Sequence, residues 1–166
     1  LNLGAKIALA TQLMSQQLII YTDGSSRGNP GPGGYGIVMQ WGQTRKEFSQ
    51  GFRKTTNNRM ELMAVVVALK SLTRDGLDVV IYSDSSYVVN AIDKGWIWGW
   101  IKKGWKDVKN VDLWQEYLKY HNKHRVKFVW VKGHANNPMN NRCDELATAA
   151  ADSGNWLVDT GYESGS

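Results

Sequence analysis

Two segments of this 166-residue chain repeat one short pattern, and they constrain its fold more than any other feature. Residues 19–25 read IIYTDGS and residues 80–86 read VIYSDSS. In each, an apolar run typical of a buried strand ends in Tyr, a small hydroxyl residue and Asp. Ligand sites of open α/β sheets lie at such strand ends, so the pattern predicts that Asp23 and Asp84 lie close together. Either aspartate alone could instead start a turn.

The remaining periodicities predict a mixed sheet covered by helices, which is an α/β fold. Three strands come first, and helices and strands then alternate. Asn58 is expected to cap the first helix. The expected strands are 18–22, 35–41, 44–53, 79–84 and 126–131, and the expected helices are about 57–72, 85–92, 111–122 and 144–152.

The composition excludes several classes of protein. Hydrophobic residues make up 42% and charged residues 21%, so neither a disordered nor a fibrous chain fits. The single cysteine, Cys143, excludes an internal disulfide framework and suits a reducing compartment, so we expect the protein in the cytoplasm. No run approaches the roughly 18 apolar residues that span a bilayer, and no membrane partner is expected. We expect a monomer.

The two ends carry little that indicates chemistry. Residues 1–17 lack the apolar core of a secretory signal and are expected to be a non-essential extension, with residues 1–13 lying upstream of Met14. Residues 159–166, DTGYESGS, have the composition of a polar tail.

Positive charge is concentrated in one part of the chain. The net charge is +5, but residues 94–132 hold ten basic and three acidic residues, which leaves −2 for the rest. The same segment holds six of the eight tryptophans. A basic, aromatic-rich block is typical of a polyanion-binding surface. An ordinary solvated helix face with core tryptophans explains the block equally well.

Two further carboxylates lie on helix faces that are otherwise apolar or small. Glu61 shares a face with Ala64, Val65 and Ala68, where an uncompensated charge costs several kcal/mol in practice. Asp144 shares a face with small residues, although a helix N-terminus would also accommodate it. Divalent cations are the simplest common explanation for Asp23, Glu61, Asp84 and Asp144.

Oxygen ligands without a His or Cys cluster indicate Mg²⁺, with Mn²⁺ as a substitute. A pair of such ions about 3.5–4 Å apart supports an in-line displacement at phosphorus. Together with the basic block, this predicts phosphodiester hydrolysis on a nucleic acid. His134 lies in a turn-rich loop ten residues before Asp144, which suits a proton shuttle, although most loop histidines are merely exposed.

The motifs, taken in order, resemble those of bacterial type 1 ribonuclease H from about Leu18 to Tyr162. They are YTDGSSRGNPGPGGYG, TTNNRMELMA, YSDSSYV, GWIKKGWK, VKNVDLW, VKGHANNP and NRCDELA. The resemblance implies a ribonuclease H-like fold with a five-stranded mixed sheet in the order 3-2-1-4-5. It also implies endonucleolytic hydrolysis of the RNA strand of RNA/DNA hybrids by two Mg²⁺ ions, leaving 5′-phosphate and 3′-hydroxyl ends. The catalytic domain would be residues 18–162, followed by a tail at 163–166.

The resemblance also assigns roles to individual residues. Asp23, Glu61, Asp84 and Asp144 match the metal-binding carboxylates, and His134 matches a mobile histidine that assists product release. Thr56 and Asn57 match a DNA-phosphate site, and Asn29 and Asn58 match minor-groove contacts. Residues 94–110 resemble a basic handle, whose expected substrate-binding residues are Trp96, Trp100, Lys102, Lys103, Trp105, Lys106 and Lys109. Asn137 and Asn141 depart from the family's usual histidine and acidic residue.

Two rival functions share this architecture. One is a catalytically inactive nucleic-acid-binding domain, which has no need for four carboxylates and His134. The other is an exonuclease, transposase or resolvase core, against which the block Thr56-Asn57-Asn58 counts.

Overall fold

The two repeated segments lie side by side as parallel strands. The computed structural model describes residues 2–7, 16–133 and 136–165. Strand β1 (Leu18–Ser26) pairs with β4 (Asp78–Ser83) so that Ile19 faces Val80 and Tyr21 faces Tyr82. The two tyrosine rings stack with centroids 5.1 Å apart. The repeat is therefore in register residue for residue, and the aspartates that end it reach the same edge of the sheet.

The described residues form one mixed sheet flanked by helices, as expected for this α/β fold. In chain order the elements are β1, β2 (Gly31–Trp41), β3 (Thr44–Thr55), α1 (Asn57–Lys70), β4, α2 (Ser86–Asp93), α3 (Trp96–Lys102), α4 (Val111–His121), β5 (Arg125–Trp130), α5 (Pro138–Asp152), β6 (Trp156–Leu157) and α6 (Thr160–Glu163). The strand order is β5-β4-β1-β2-β3-β6. It contains the expected order and adds the two-residue strand β6 beside β3.

Helices α1 and α5 cover opposite faces of the central strands. Leu62 and Leu69 of α1 are fully buried in a core that also includes Trp114 of α4. On the other face, Gly36 of β2 leaves no room for a side chain against the backbone of Cys143 in α5. The Cys143 thiol is buried, donates to the Tyr21 carbonyl at 3.2 Å, and has a pKa raised by burial to about 12. No described helix is long and apolar enough to cross a bilayer.

Helix α1 begins at Asn57, as predicted, but its capping residue differs from the predicted one. The cap is Thr56, whose hydroxyl accepts from the Arg59 backbone N–H at 3.2 Å, and not Asn58, which lies inside the first turn. Threonine and asparagine are both good capping residues, so composition alone did not separate them.

Helix α5 begins at Pro138, six residues before the predicted start at Asp144. The Asn137 side chain accepts from the backbone N–H groups of Met139 and Asn140, both at 3.2 Å. Proline is well tolerated in the first turn because its missing N–H has no partner there. The predicted loop at Asn-Asn-Pro is therefore a helix start, and Asp144 lies in the second turn of the helix instead of at its N-terminus.

The predicted polar tail is wrong for residues 159–163. Asp159 is only 2% exposed and caps α6, where its carboxylate accepts from the Tyr162 backbone N–H at 3.3 Å. Glu163 forms an ion pair with Arg53 of β3 at 3.0 Å. Polar composition does not predict a solvated tail here, because Asp159 and Glu163 pair with arginines far away in the chain.

Candidate metal centre and nucleic-acid interface

Three of the four predicted carboxylates meet at the ends of β1 and β4. Asp23 lies within β1, Asp84 directly follows β4, and Glu61 is on the second turn of α1. One carboxylate oxygen from each lies within 4.8 Å of the others. The parallel register of β1 and β4 brings the two aspartates together, and α1 places Glu61 over them.

Glycine is needed beside this cluster. A Cβ at Gly24 would overlap the backbone of Met60 and Glu61, so only glycine allows α1 to approach β1 this closely. The Gly24 backbone N–H donates to Glu61 Oε1 at 2.5 Å and to Asp23 Oδ1 at 2.9 Å. One amide therefore orients two carboxylates.

Burial and mutual repulsion make the ionised cluster costly. Burial raises the pKa of Asp23 to about 7, and the charges of Asp84 and Asp144 add to the rise. Burial, and to a lesser extent the charge of Asp23, raises the pKa of Glu61 well above its ordinary value. Without a cation, the cluster therefore retains a proton near neutral pH.

The residues present fit a divalent cation. Glu61 Oε2 is buried and has no hydrogen-bond partner, which is unfavourable unless a positive group satisfies it. The donor set consists of oxygen atoms, which Mg²⁺, Mn²⁺ and Ca²⁺ prefer. Asp23, Glu61 and Asp84 form a group of described residues whose carboxylates lie close enough together to hold one such ion.

Asp144 lies nearby but in a different environment from the one expected. It is exposed, not on a buried stripe, and it lies in the second turn of α5. Together with Asp23 and Asp84 it lines an open cleft of about 420 Å³ and a second, smaller cavity. Because the Asp144 side chain is solvated, it could contact a cation that lies in the open cleft beside Asp23 and Asp84.

The side chain of Asn140 also faces the ends of β1 and β4, although the sequence motifs do not predict a role for it. Its amide nitrogen lies 3.5 Å from the carbonyl oxygens of both Thr22 and Tyr82, and its Oδ1 is buried without a partner. It lines the smaller cavity beside Asp84 and Asp144. The one sequence signal for it was its position one turn before Asp144, on the same helix face.

The predicted hybrid-binding residues cluster around the N-terminus of α1. The Asn29 side chain accepts from the Asn57 backbone N–H at 3.1 Å, which ties the β1–β2 loop to the helix. Asn57 and Asn58 line the carboxylate cleft. Asn58 also lines a second cleft of about 640 Å³ together with Asn29, Thr56 and Lys109. Asn58 therefore links the carboxylates to the end of the basic block.

The handle is helix α3 followed by a tight turn that leads into α4. Lys102, Lys103, Lys106 and Lys109 are all exposed, and none of them forms an ion pair with a described residue. Three non-glycine residues, Trp105, Asp107 and Asn110, have positive φ values between 59° and 66°. The turn is therefore tightly wound, and it presents its lysines outward.

The handle tryptophans divide into two groups. Trp100 and Trp105 pack against the core, and the Trp100 ring lies 5.6 Å from that of Trp114. Trp96 is 44% exposed, and the Lys94 ammonium lies 5.8 Å from its ring centroid. Trp100 and Trp105 thus fix the shape of the segment, and Trp96 remains accessible to a ligand. His134 lies outside the described residues.

Replacing Asp23 with Asn is expected to raise the melting temperature of the metal-free protein at pH 8 but not at pH 4. The folded-state pKa of Asp23 lies above its ordinary value of 3.8, so its ionisation destabilises the fold as the pH rises from about 4 to about 7. The neutral amide removes this penalty, which is on the order of a few kcal/mol. Thermal denaturation with EDTA across this pH range is the measurement.

The control for this experiment is Asp93→Asn, which removes the same charge from an exposed site without an ion pair among the described residues. It should leave the pH profile unchanged. If both variants changed the melting temperature equally across this pH range, the ionised Asp23 carboxylate would not be destabilising the fold.

A mixed sheet whose strand ends hold a cluster of carboxylates suited to a divalent cation is typical of one class of proteins. These are metal-dependent enzymes that act on phosphate esters. The family model described as RNase H matches residues 15–152. The chain is 52% identical over 158 residues to the ribonuclease H of Lachnoclostridium phytofermentans, covering 89% of this chain and 99% of that protein. It is 54% identical over 154 residues to that of Klebsiella pneumoniae subsp. pneumoniae, covering 90% and 97%. The chain belongs to the ribonuclease H family.

Solved structures agree with this assignment. LC9-RNase H1, a type 1 RNase H with the type 2 active-site motif, superimposes with a TM-score of 0.73 at 34% identity, covering 89% of this chain and 79% of that chain. LC11-RNase H1 in complex with an RNA/DNA hybrid gives a TM-score of 0.60 at 28% identity, covering 83% and 99%.

Proposed function

We propose that this protein is an endonuclease that hydrolyses the RNA strand of RNA/DNA hybrids and leaves 5′-phosphate and 3′-hydroxyl ends. The observation that carries the proposal is the cluster of Asp23, Glu61 and Asp84, with an unpartnered buried oxygen on Glu61, in a chain of the ribonuclease H family. A solved relative with this fold holds an RNA/DNA hybrid.

We propose Mg²⁺ as the physiological cation, with two ions per site and Mn²⁺ as a substitute. When bound, such a pair supplies an activated water and positive charge beside the leaving oxygen. Asp23, Glu61, Asp84 and Asp144 would hold it. The Gly24 amide keeps Glu61 and Asp23 oriented before the cation arrives, so little reorganisation is needed.

The substrate would be held by groups outside the carboxylate cluster. Asn57 and Asn58 line the cleft and present amides to the hybrid, and Asn29 and Thr56 order the loop and helix start next to them. The 2′-hydroxyl is the group that distinguishes RNA from DNA at such a site. The handle lysines and Trp96 would contact the backbone further along the duplex.

Cleavage of labelled RNA/DNA, RNA/RNA and DNA/DNA duplexes, with Mg²⁺ or with EDTA, tests the proposal. Cleavage of the RNA strand of the hybrid alone, and only with the cation, is expected. Binding without cleavage would instead favour an inactive binding domain, and cleavage of DNA/DNA would favour another nuclease of this architecture. The boundaries of the catalytic domain at 18–162, the monomeric state and the cytoplasmic location stay predictions.

Replacing His134 with Ala is expected to slow turnover by roughly ten- to a hundredfold while the affinity for the hybrid stays the same. An imidazole near the scissile group would carry protons or aid release, and it does not hold the cations. Single-turnover and steady-state rates from pH 6 to pH 9 are the measurement. A variant with the wild-type rate throughout that range would return His134 to an ordinary exposed loop residue.

A further inference from the structure

The carboxylate of Asp159 connects the C-terminal segment to the start of α1. Its Oδ2 accepts from the Thr55 hydroxyl at 2.7 Å and from Arg59 Nε at 2.8 Å, and its Oδ1 accepts from Arg59 Nη2 at 3.0 Å. Thr55 and Arg59 lie on either side of residues 56–58. One buried side chain from the chain's end therefore holds both ends of the segment proposed to bind the hybrid.

The Arg59 guanidinium extends this connection to the handle. On its other side it donates to both oxygens of Asp112, at 2.9 and 2.8 Å, and to Asn110 Oδ1 at 3.3 Å. Asn110 and Asp112 form the junction between the handle and α4, and Asn110 directly follows Lys109. Arg59 is buried, so three segments distant in the chain meet at one fixed group.

The backbone of α6 closes the same junction. A Cβ at Gly161 would overlap Asp112 Oδ2 and lie 2.6 Å from Arg59 Nη2, so a side chain there would displace one or both groups. Gly161 and Tyr162 line the cleft of about 640 Å³ whose other walls are Asn29, Asn58 and Lys109. The C-terminal segment thus forms one wall of a cleft that the proposed hybrid-binding residues also line.

We propose that Asp159 is a positioning residue for hybrid binding, which acts through Arg59 to set the spacing between residues 56–58 and the handle junction. This inference rests on the proposed function. A buried ion pair is by itself weak evidence for stability, because apolar residues of similar volume often stabilise a fold as well. The contribution of Arg59 is geometric. Its planar guanidinium binds the carboxylates of Asp159 and Asp112 through paired hydrogen bonds and so fixes their positions relative to each other.

The test compares Asp159→Asn with Leu69→Ala. The amide has one acceptor oxygen, so it can keep the contacts with Thr55 and Arg59 Nε only if its NH₂ group faces Arg59 Nη2, which is also a donor. The spacing between residues 56–58 and the junction should therefore loosen. Leu69 is fully buried at the far end of α1, and its truncation lowers stability without touching the junction. Steady-state kinetics are measured at a temperature at which circular dichroism shows every variant to be folded.

Asp159→Asn should raise KM by about tenfold and change kcat by less than about twofold, because it weakens binding and leaves the carboxylates intact. Its affinity for a fluorescent hybrid, measured by anisotropy in EDTA, should fall by a similar factor. Leu69→Ala should lower the melting temperature and leave KM unchanged. Equal KM values for wild type and Asp159→Asn, or equal rises in both variants, would overturn the proposal.

A second pair of variants keeps the proposal testable if Asp159→Asn fails to fold. Asp112→Asn and Asp112→Ala leave the Asp159 contacts with Thr55 and Arg59 in place and disturb only the junction side. Each should raise KM severalfold, by roughly three- to fivefold, and unchanged KM in both would overturn the role of the junction. Wild-type protein that binds the hybrid without cleaving it would refute the proposed function alone, because the anisotropy comparison still tests Asp159.

Discussion

Replacing Asp84 with Asn is expected to abolish cleavage of the hybrid while the fold and hybrid binding are preserved. The amide has almost the same size but removes one charge from the cluster in which carboxylate oxygens of Asp23, Glu61 and Asp84 lie within 4.8 Å. Cations stabilise the transition state by several kcal/mol, and each 1.4 kcal/mol is about tenfold in rate, so the loss should reach roughly a thousandfold. The same result is expected for Asp23→Asn.

Cleavage rates in Mg²⁺ and binding by anisotropy in EDTA measure the two properties separately. Asp93→Asn is the matched control, because Asp93 is exposed at the end of α2 and removing its charge should leave the rate unchanged. If either cluster variant turned over at close to the wild-type rate in Mg²⁺, the assignment of the cation site would be wrong.

The second large effect is expected at the handle. Changing Lys102, Lys103, Lys106 and Lys109 together to Gln should weaken hybrid binding and raise KM by roughly tenfold or more at low salt, with little change in kcat. These lysines have no ion-pair partner among the described residues, so their charge is free to meet phosphates. Discrimination between RNA/DNA and DNA/DNA should survive, because it depends on other contacts.

The dependence of affinity on salt identifies the mechanism. Each lost phosphate contact flattens the slope of log affinity against log salt by about 0.9, so four contacts give up to about 3.6. The control is the triple Gln variant at Lys6, Lys46 and Lys70, which are exposed and lie outside residues 94–132, and the change in slope is compared per lysine. If the handle variant had an unchanged slope and KM, the basic block would be a solvated face that does not contact the hybrid.

Much of the site was predictable because it depends on local patterns. The repeat at 19–25 and 80–86 predicted two buried strands that end in neighbouring aspartates, and the parallel register of β1 and β4 brings Asp23 and Asp84 together. The apolar face around Glu61 predicted a buried carboxylate, and Glu61 is 3% exposed. Both inferences follow from side-chain periodicity, which a sequence displays directly.

The errors arose where capping or a distant partner decides the structure. The sequence predicts a helix that starts at Asp144, but Asn137 and Pro138 begin α5 earlier and leave Asp144 solvated beside the cleft. Capping signals are short and resemble loop signals, so the boundary depends on which residue the tertiary structure selects.

The sequence by itself determined the strand ends, the carboxylates that meet there and the basic block, because each follows from the spacing of residues along the chain. Only the tertiary structure decided the role of Asp159, whose partner Arg59 lies 100 positions earlier in the chain. Pairing at that distance depends on how α1, α4 and the C-terminal segment pack together, and periodicity carries no information about it. A polar residue near a terminus looks solvated in a sequence, but burial beside a guanidinium makes it a fixed part of the fold.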